Sequence, residues 1–140
     1  MIGKKNRLRL TSVELEVPFY EVDPMGIVWH GHYLRYFEIA RTRLLRACGL
    51  DAGMPAAESR FHYMVSESQC RHGFPLRYGE RFRVDAWLHD VERRLKVQFE
   101  IHNLDQGRRS ARGHTILVCV DAQGKMLLKT PQSVLDRVLE

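Results

Sequence analysis

The chain has 140 residues, a formal charge of +5 and an ordinary apolar share of 44%. That length suits one domain, 1–140, around one core, and no apolar run approaches the roughly 20 residues of a membrane-spanning helix. Cys48, Cys70 and Cys119 are few, odd in number and far apart. They fit reduced thiols and a cytoplasmic setting better than a disulfide framework or a zinc site.

The N-terminus, Met1 to Arg9, is basic but runs into alternating Val13, Leu15 and Val17, so no signal peptide is expected. The basic residues are scattered, with Lys4-Lys5 and Arg93-Arg94 as local clusters. Without zinc-finger spacing or an RNA-binding aromatic motif, nucleic acid is not expected as a partner. The charge then reads either as a solvated surface or as attraction to a phosphorylated small molecule.

In chain order, Val13, Leu15, Val17 and Phe19 alternate with polar residues, the period of a half-buried strand. From Tyr33 to Cys48 the apolar Leu34, Phe37, Ala40, Leu44 and Cys48 recur at helical spacing. Arg35, Glu38 and Arg41 fall where they can pair along that helix. Gly49 followed by Leu50 is a helix stop, with glycine at C′ and an apolar residue at C″. After a loop rich in Gly, Ala and Pro, alternation predicts four more strands. They run around Phe61–Val65, Phe82–Leu88, Leu95–Ile101 and Ile116–Val120, with Asp105-Gln106-Gly107 as a hairpin loop. Ala122-Gln123-Gly124 ends the last strand. Thr130-Pro131 reads as the N-cap and N1 pair of a short terminal helix with Val134, Leu135 and Val138 inward. The layout is α+β: an antiparallel five-stranded sheet wrapped around one long central helix.

The loop between the first strand and the helix carries the chemistry. Asp23 sits in a turn built by Pro24 and Gly26, and His30 follows seven residues later at the helix start. An acid, an imidazole and free backbone N–H groups are the parts needed to hydrolyse an activated acyl group. Asp23 can serve as general base or as nucleophile, or it can simply shape the turn. His30 can polarise a carbonyl or position water, or be a hydrogen-bonded loop histidine. Backbone N–H groups at Trp29, His30 and Gly31, beside the positive end of the helix dipole, favour an oxyanion. The glycines at 26 and 31 permit close approach of the backbone. Tyr20 and Tyr33 are candidates for the acyl pocket wall or for plain core. His32 reads as structural or solvent-facing, and Glu38, between Arg35 and Arg41, as a structural ion pair.

The segment Asp23-Pro24-x-Gly26-Ile27-Val28-Trp29, with Tyr33, Phe37-Glu38-x-Ala40-Arg41 and the turn Pro75-Leu76-Arg77-Tyr78-Gly79-Glu80, resembles the hotdog-fold acyl-CoA thioesterases. The likeness covers roughly residues 10 to 122. It is to the 4-hydroxybenzoyl-CoA thioesterase branch together with the Tol–Pal-associated short-chain branch. His30 resembles the second branch and the Asp-Pro-x-Gly-Ile-Val-Trp run the first, so aryl and short aliphatic acyl groups both stay open. The resemblance implies a cytoplasmic homodimer or homotetramer with active sites at the subunit interface, no cofactor and no metal. It also implies that Asp23 and His30 are catalytic. Arg93, Arg94 and Lys96 fall where the hydroxybenzoyl branch carries a basic run for the coenzyme A nucleotide. The substrate expected is an acyl-CoA. The alternatives are an acyl-carrier-protein thioester or a non-hydrolytic acyl-binding role.

Overall fold

The computed structural model describes residues 7–50 and 62–140. Five strands form one antiparallel sheet: β1 (Leu8–Glu16), β2 (His62–His72), β3 (Arg81–Asp90), β4 (Leu95–Asn103) and β5 (Arg108–Val120). Their order across the sheet is β1-β3-β4-β5-β2. Helix α1 (His32–Ala47) lies on one face, and the short helix α2 (Gln132–Leu139) follows the last strand. This is the α+β arrangement the sequence implies, with the sheet wrapped around a central helix.

Alternation decides which face is covered. In β4, Leu95, Val97, Phe99 and Ile101 are buried while Lys96, Gln98, Glu100 and His102 are half-buried on the outer face, as the two-residue period requires. Phe37 of α1 stacks on Phe99 with ring centres 4.4 Å apart, and Tyr36 packs against Phe82 at 4.7 Å. The helix ends as expected. Gly49 adopts φ +74, its N–H donates to the Arg46 carbonyl, and the Leu50 N–H donates to the Leu45 carbonyl. Leu50 is buried beneath this turn, the hydrophobic contact of such a motif.

Several expectations need correction. β1 stops at Glu16, and Phe19 is exposed in a single 3-10 turn, Phe19–Glu21, which Pro18 introduces. The buried stripe of α1 is Tyr33, Tyr36, Phe37, Ala40, Leu44 and Leu45; Leu34 is 44% exposed. Tyr33 and Tyr36 hold the inward positions through hydroxyl contacts that an apolar count does not register. Arg35 turns back to Glu21 at 3.6 Å. The last helix begins one residue late, with Pro131 at the N-cap; the Thr130 hydroxyl is buried with no hydrogen-bond partner among the described residues and does not cap the helix. β2 is an edge strand, so Val65 is exposed despite its alternation. The expectation at Phe61 lies outside the described residues.

Antiparallel pairing gives the sheet two distinct ends. At one end lie the start of β3, the β4–β5 turn and the end of β2, since Asn103 pairs with both Phe82 and Arg108 and His72 pairs with Ala111. At the other lie the β3–β4 hairpin and the end of β5. The ten residues of β3, at about 3.3 Å each, separate the two ends by roughly 30 Å.

Candidate active site

The Asp23 loop is a closed turn pinned to the first of these ends. The Asp23 N–H donates to the Ile27 carbonyl and the Gly26 N–H to the Asp23 carbonyl, with Gly26 at φ +80. Asp23 Oδ1 accepts the Met25 N–H at 2.9 Å. One carboxylate oxygen therefore shapes the turn. The other has no hydrogen-bond partner among the described residues. The Val28 N–H donates to the Leu76 carbonyl at 2.8 Å, and Ile27 bridges to Arg77. The Pro75–Glu80 turn is thus the anchor of the loop. Leu76 is fully buried, and its own N–H donates to the Tyr33 hydroxyl.

A second anchor is Glu21, which sequence reading missed. It is 5% exposed, accepts the Tyr36 hydroxyl hydrogen bond on Oε1, and pairs with Arg35 through Oε2. Its carbonyl also accepts the Trp29 N–H. A glutamate in a three-residue turn gives no periodic signal; only the buried tyrosine above it explains its presence. Burial, and then the bond to Glu21, push the Tyr36 hydroxyl pKa well above the ordinary phenol value, so Tyr36 stays a donor.

These anchors leave a cleft of about 290 Å³ whose lining includes Asp23, His30, Tyr33, His72, Phe74 and Ser110. His30 and His72 meet edge to face with ring centres 6.4 Å apart, and His72 sits edge-on to Tyr33 at 4.8 Å. Burial, with His30 adding charge repulsion, lowers the His72 pKa. Burial likewise raises the Tyr33 pKa. His72 ends a strand of which only the first residues showed clear alternation, so spacing alone did not reveal it.

The oxyanion groups sort by their bonds. The N–H groups of Gly26 and Trp29 are engaged within the loop. Those of His30 and Gly31 have no acceptor among the described residues, and they sit just before the first turn of α1. A Cβ on Gly31 would lie 2.2 Å from the Trp29 ring, so the indole lies against this backbone only because residue 31 is glycine. Tyr33 lines the cleft. Tyr20 does not: it is 78% exposed in the 3-10 turn. His32 is on the helix surface, bonded to Arg35, and Glu38 is exposed outside the cleft. Arg93 and Arg94 lie in the β3–β4 hairpin and Lys96 near the start of β4. Within one chain they are at the end of the sheet remote from Asp23. The β4–β5 end carries its own arginine pair, Arg108-Arg109, with Arg108 stacked over Phe74 at 3.4 Å.

A carboxylate and two imidazoles thus share one cleft, beside unengaged N–H groups at a helix start, on a sheet wrapped around that helix. Residues 17–138 match the family described as the thioesterase-like superfamily. The chain belongs to that superfamily and is a thioester hydrolase of the hotdog fold. YneP of Bacillus subtilis (strain 168), whose name proposes an acyl-CoA thioesterase, is 29% identical over 120 residues, covering 83% of each chain. A DHNA-CoA thioesterase from Staphylococcus aureus superposes with TM-score 0.75 at 25% identity, covering 85% of this chain and 80% of that one. A hypothetical protein from Aquifex aeolicus, AQ1494, superposes with TM-score 0.79 at 28% identity, covering 91% and 98%. No described helix is long and apolar enough to cross a membrane.

Proposed function

We propose that this chain hydrolyses an acyl-CoA thioester in the Asp23 cleft, releasing a carboxylate and free coenzyme A. The observation that carries this is the meeting of Asp23, His30 and His72 in one cleft with Tyr33 and Phe74 as flat walls, beside the unengaged N–H groups of His30 and Gly31 at the start of α1. Asp23 either takes a proton from water as it attacks the carbonyl, or attacks directly to give a mixed anhydride that water opens. In both routes the carbonyl oxygen gains negative charge. The His30 and Gly31 N–H groups, with the α1 dipole behind them, stabilise it. The carbon–sulfur bond then breaks and the thiolate takes a proton.

The aromatic walls and small volume favour an aryl acyl group over a long chain. The name of the S. aureus structure, a DHNA-CoA thioesterase, supports the aryl reading. A thiol-release assay over benzoyl-, hydroxybenzoyl-, short and long acyl-CoA substrates tests it. Highest kcat/KM is expected on the aryl substrates. Preference for a long chain would remove the aryl assignment, and no thiol release from any of them would remove the function.

The same reading includes assembly. β2 is exposed on both faces at the sheet edge, with Met64 and Val65 among its exposed apolar residues. An unpaired edge of this length invites a second chain. A homodimer joined through β2, with tetramers formed from it, supplies that pairing. Light scattering that found a fully active monomer at micromolar concentration would contradict it. The three free thiols are buried or half-buried, and burial raises the Cys70 and Cys119 pKa values to about 11. Both suit a reducing, cytoplasmic setting.

A further inference from the structure

The outer face of the sheet, at the cleft end, carries an arrangement the hydrolysis chemistry does not use. Arg71 on β2 and Arg112 on β5 are directly opposite partners in the ladder. Like charges in that position destabilise a strand pair. Across β5, Arg112 faces Glu100 of β4, and an ion pair between them would relieve the repulsion. It does not form. Glu100 is already taken by Arg7 at 3.3 Å, His102 at 3.1 Å and Arg109 at 3.5 Å. Among the described residues neither Arg71 nor Arg112 has a hydrogen bond or an ion pair. Both guanidinium groups are exposed.

The two arginines border a shallow cleft of about 270 Å³, together with Arg109, His72, Gly73 and Ser110. The last three also line the Asp23 cleft. The cationic cleft and the reactive cleft are therefore two sides of one wall, where the end of β2 meets the start of β5. The Gly73 N–H donates to the Ser110 carbonyl at 2.8 Å and closes that wall. Ladder pairing through β2 uses backbone groups, so the outward side chain of Arg71 stays available in a dimer.

We propose that Arg71 and Arg112, flanked by Arg109, bind a phosphate of the thioester's carrier, resting on the proposed thioester hydrolysis. Paired guanidinium forks match phosphate oxygens, and the bound anion supplies the counter-charge the strand pair lacks. Both possible carriers present the same chemistry, a phosphate at the end of a pantetheine arm: coenzyme A, with nucleotide phosphates beyond it, or a carrier protein. The site shares a wall with the reaction, whereas Arg93 and Arg94 are at the far end of the same sheet.

The test uses the full chain carrying Arg71→Gln/Arg112→Gln, with the same acyl group on coenzyme A, on phosphopantetheine and on pantetheine. KM for acyl-CoA is expected to rise at least about 10-fold with kcat within about twofold, because a contact to the carrier's phosphate, which does not change in the reaction, is made equally in ground and transition states. KM for acyl-pantetheine, which has no phosphate, is expected to stay unchanged. A rise shared by acyl-phosphopantetheine assigns the site to the proximal phosphate common to both carriers. A rise confined to acyl-CoA assigns it to the nucleotide phosphates. An equal rise for acyl-pantetheine would show that the arginines only shape the wall, and an unchanged KM for acyl-CoA would overturn the site. Failure of the wild-type chain on all three substrates would instead refute the hydrolytic reading.

Discussion

At one end of the sheet the chain crowds a loop, a helix start and two strand ends around a cleft. At the other end the same strands finish in a hairpin whose Arg93 and Arg94 project into solvent. Both ends are basic, and both carry a paired arginine in the sequence. They differ in what holds the backbone. The cleft end is fixed by buried polar bonds: Glu21 to Tyr36 and Trp29, Tyr33 to Leu76, and Val28 to Leu76. Such bonds are costly to leave unmade in a low-dielectric interior, and they hold Asp23, His30 and His72 in fixed relation. A charge pair in sequence carries no information of this kind. A site needs a scaffold whose own polar groups are satisfied before it can leave others unsatisfied for a substrate.

The largest effect is expected at Phe37, the fully buried ring that stacks on Phe99 and carries the helix for the cleft. Phe37→Ala should cost about 3–5 kcal/mol of stability in urea unfolding. A loss under 1 kcal/mol would show that the helix is held elsewhere. Next is His30→Ala, for which kcat should fall roughly 10- to 10³-fold with the melting temperature unchanged, since one polar interaction of the transition state is lost. Unchanged kcat and KM would make His30 a loop residue only.

Glu21→Ala follows. It leaves the Tyr36 hydroxyl buried without an acceptor, at a cost of about 1–3 kcal/mol. Activity should fall with it, because the turn whose backbone carbonyl accepts the Trp29 N–H loses its side-chain tie to α1; an unperturbed melting curve would refute the scaffold role. The smallest effect is electrostatic. Burial and the His30 charge lower the His72 pKa. A base that binds its proton more weakly when folded makes the fold less stable as pH drops through the ordinary imidazole range. In His30→Ala the charge contribution is gone, so His72 should titrate at higher pH in an NMR experiment. An unmoved titration would mean that the two rings do not interact.

Much of this was legible from the residues alone. The inward alternation of β3 and β4, the Gly49-Leu50 helix stop and the Asp105–Gly107 turn are local patterns, and the fold bears them out. The Asp23 turn was equally local, set by Pro24 and Gly26. The rest depended on distance in space. Val65 alternates like a buried strand yet is exposed, because burial of an edge strand depends on a neighbour the strand itself does not specify. Leu34 yields its inward place to Tyr33 and Tyr36, whose hydroxyls find partners in segments far along the chain. His72 reaches the cleft, and Arg93 is carried to the remote end, only through the strand order. One linear pattern is compatible with several such orders.

Asp23 is the group we propose to perform the chemistry, in a cleft the rest of the loop holds still. Asp23→Asn preserves size and the turn bond to Met25 while removing both base and nucleophile. Thiol release from a reactive acyl-CoA should fall in kcat by at least about 10²-fold, with an unchanged melting temperature and oligomeric state. Turnover within a few-fold of the wild type, from the same folded protein, would show that Asp23 is neither base nor nucleophile.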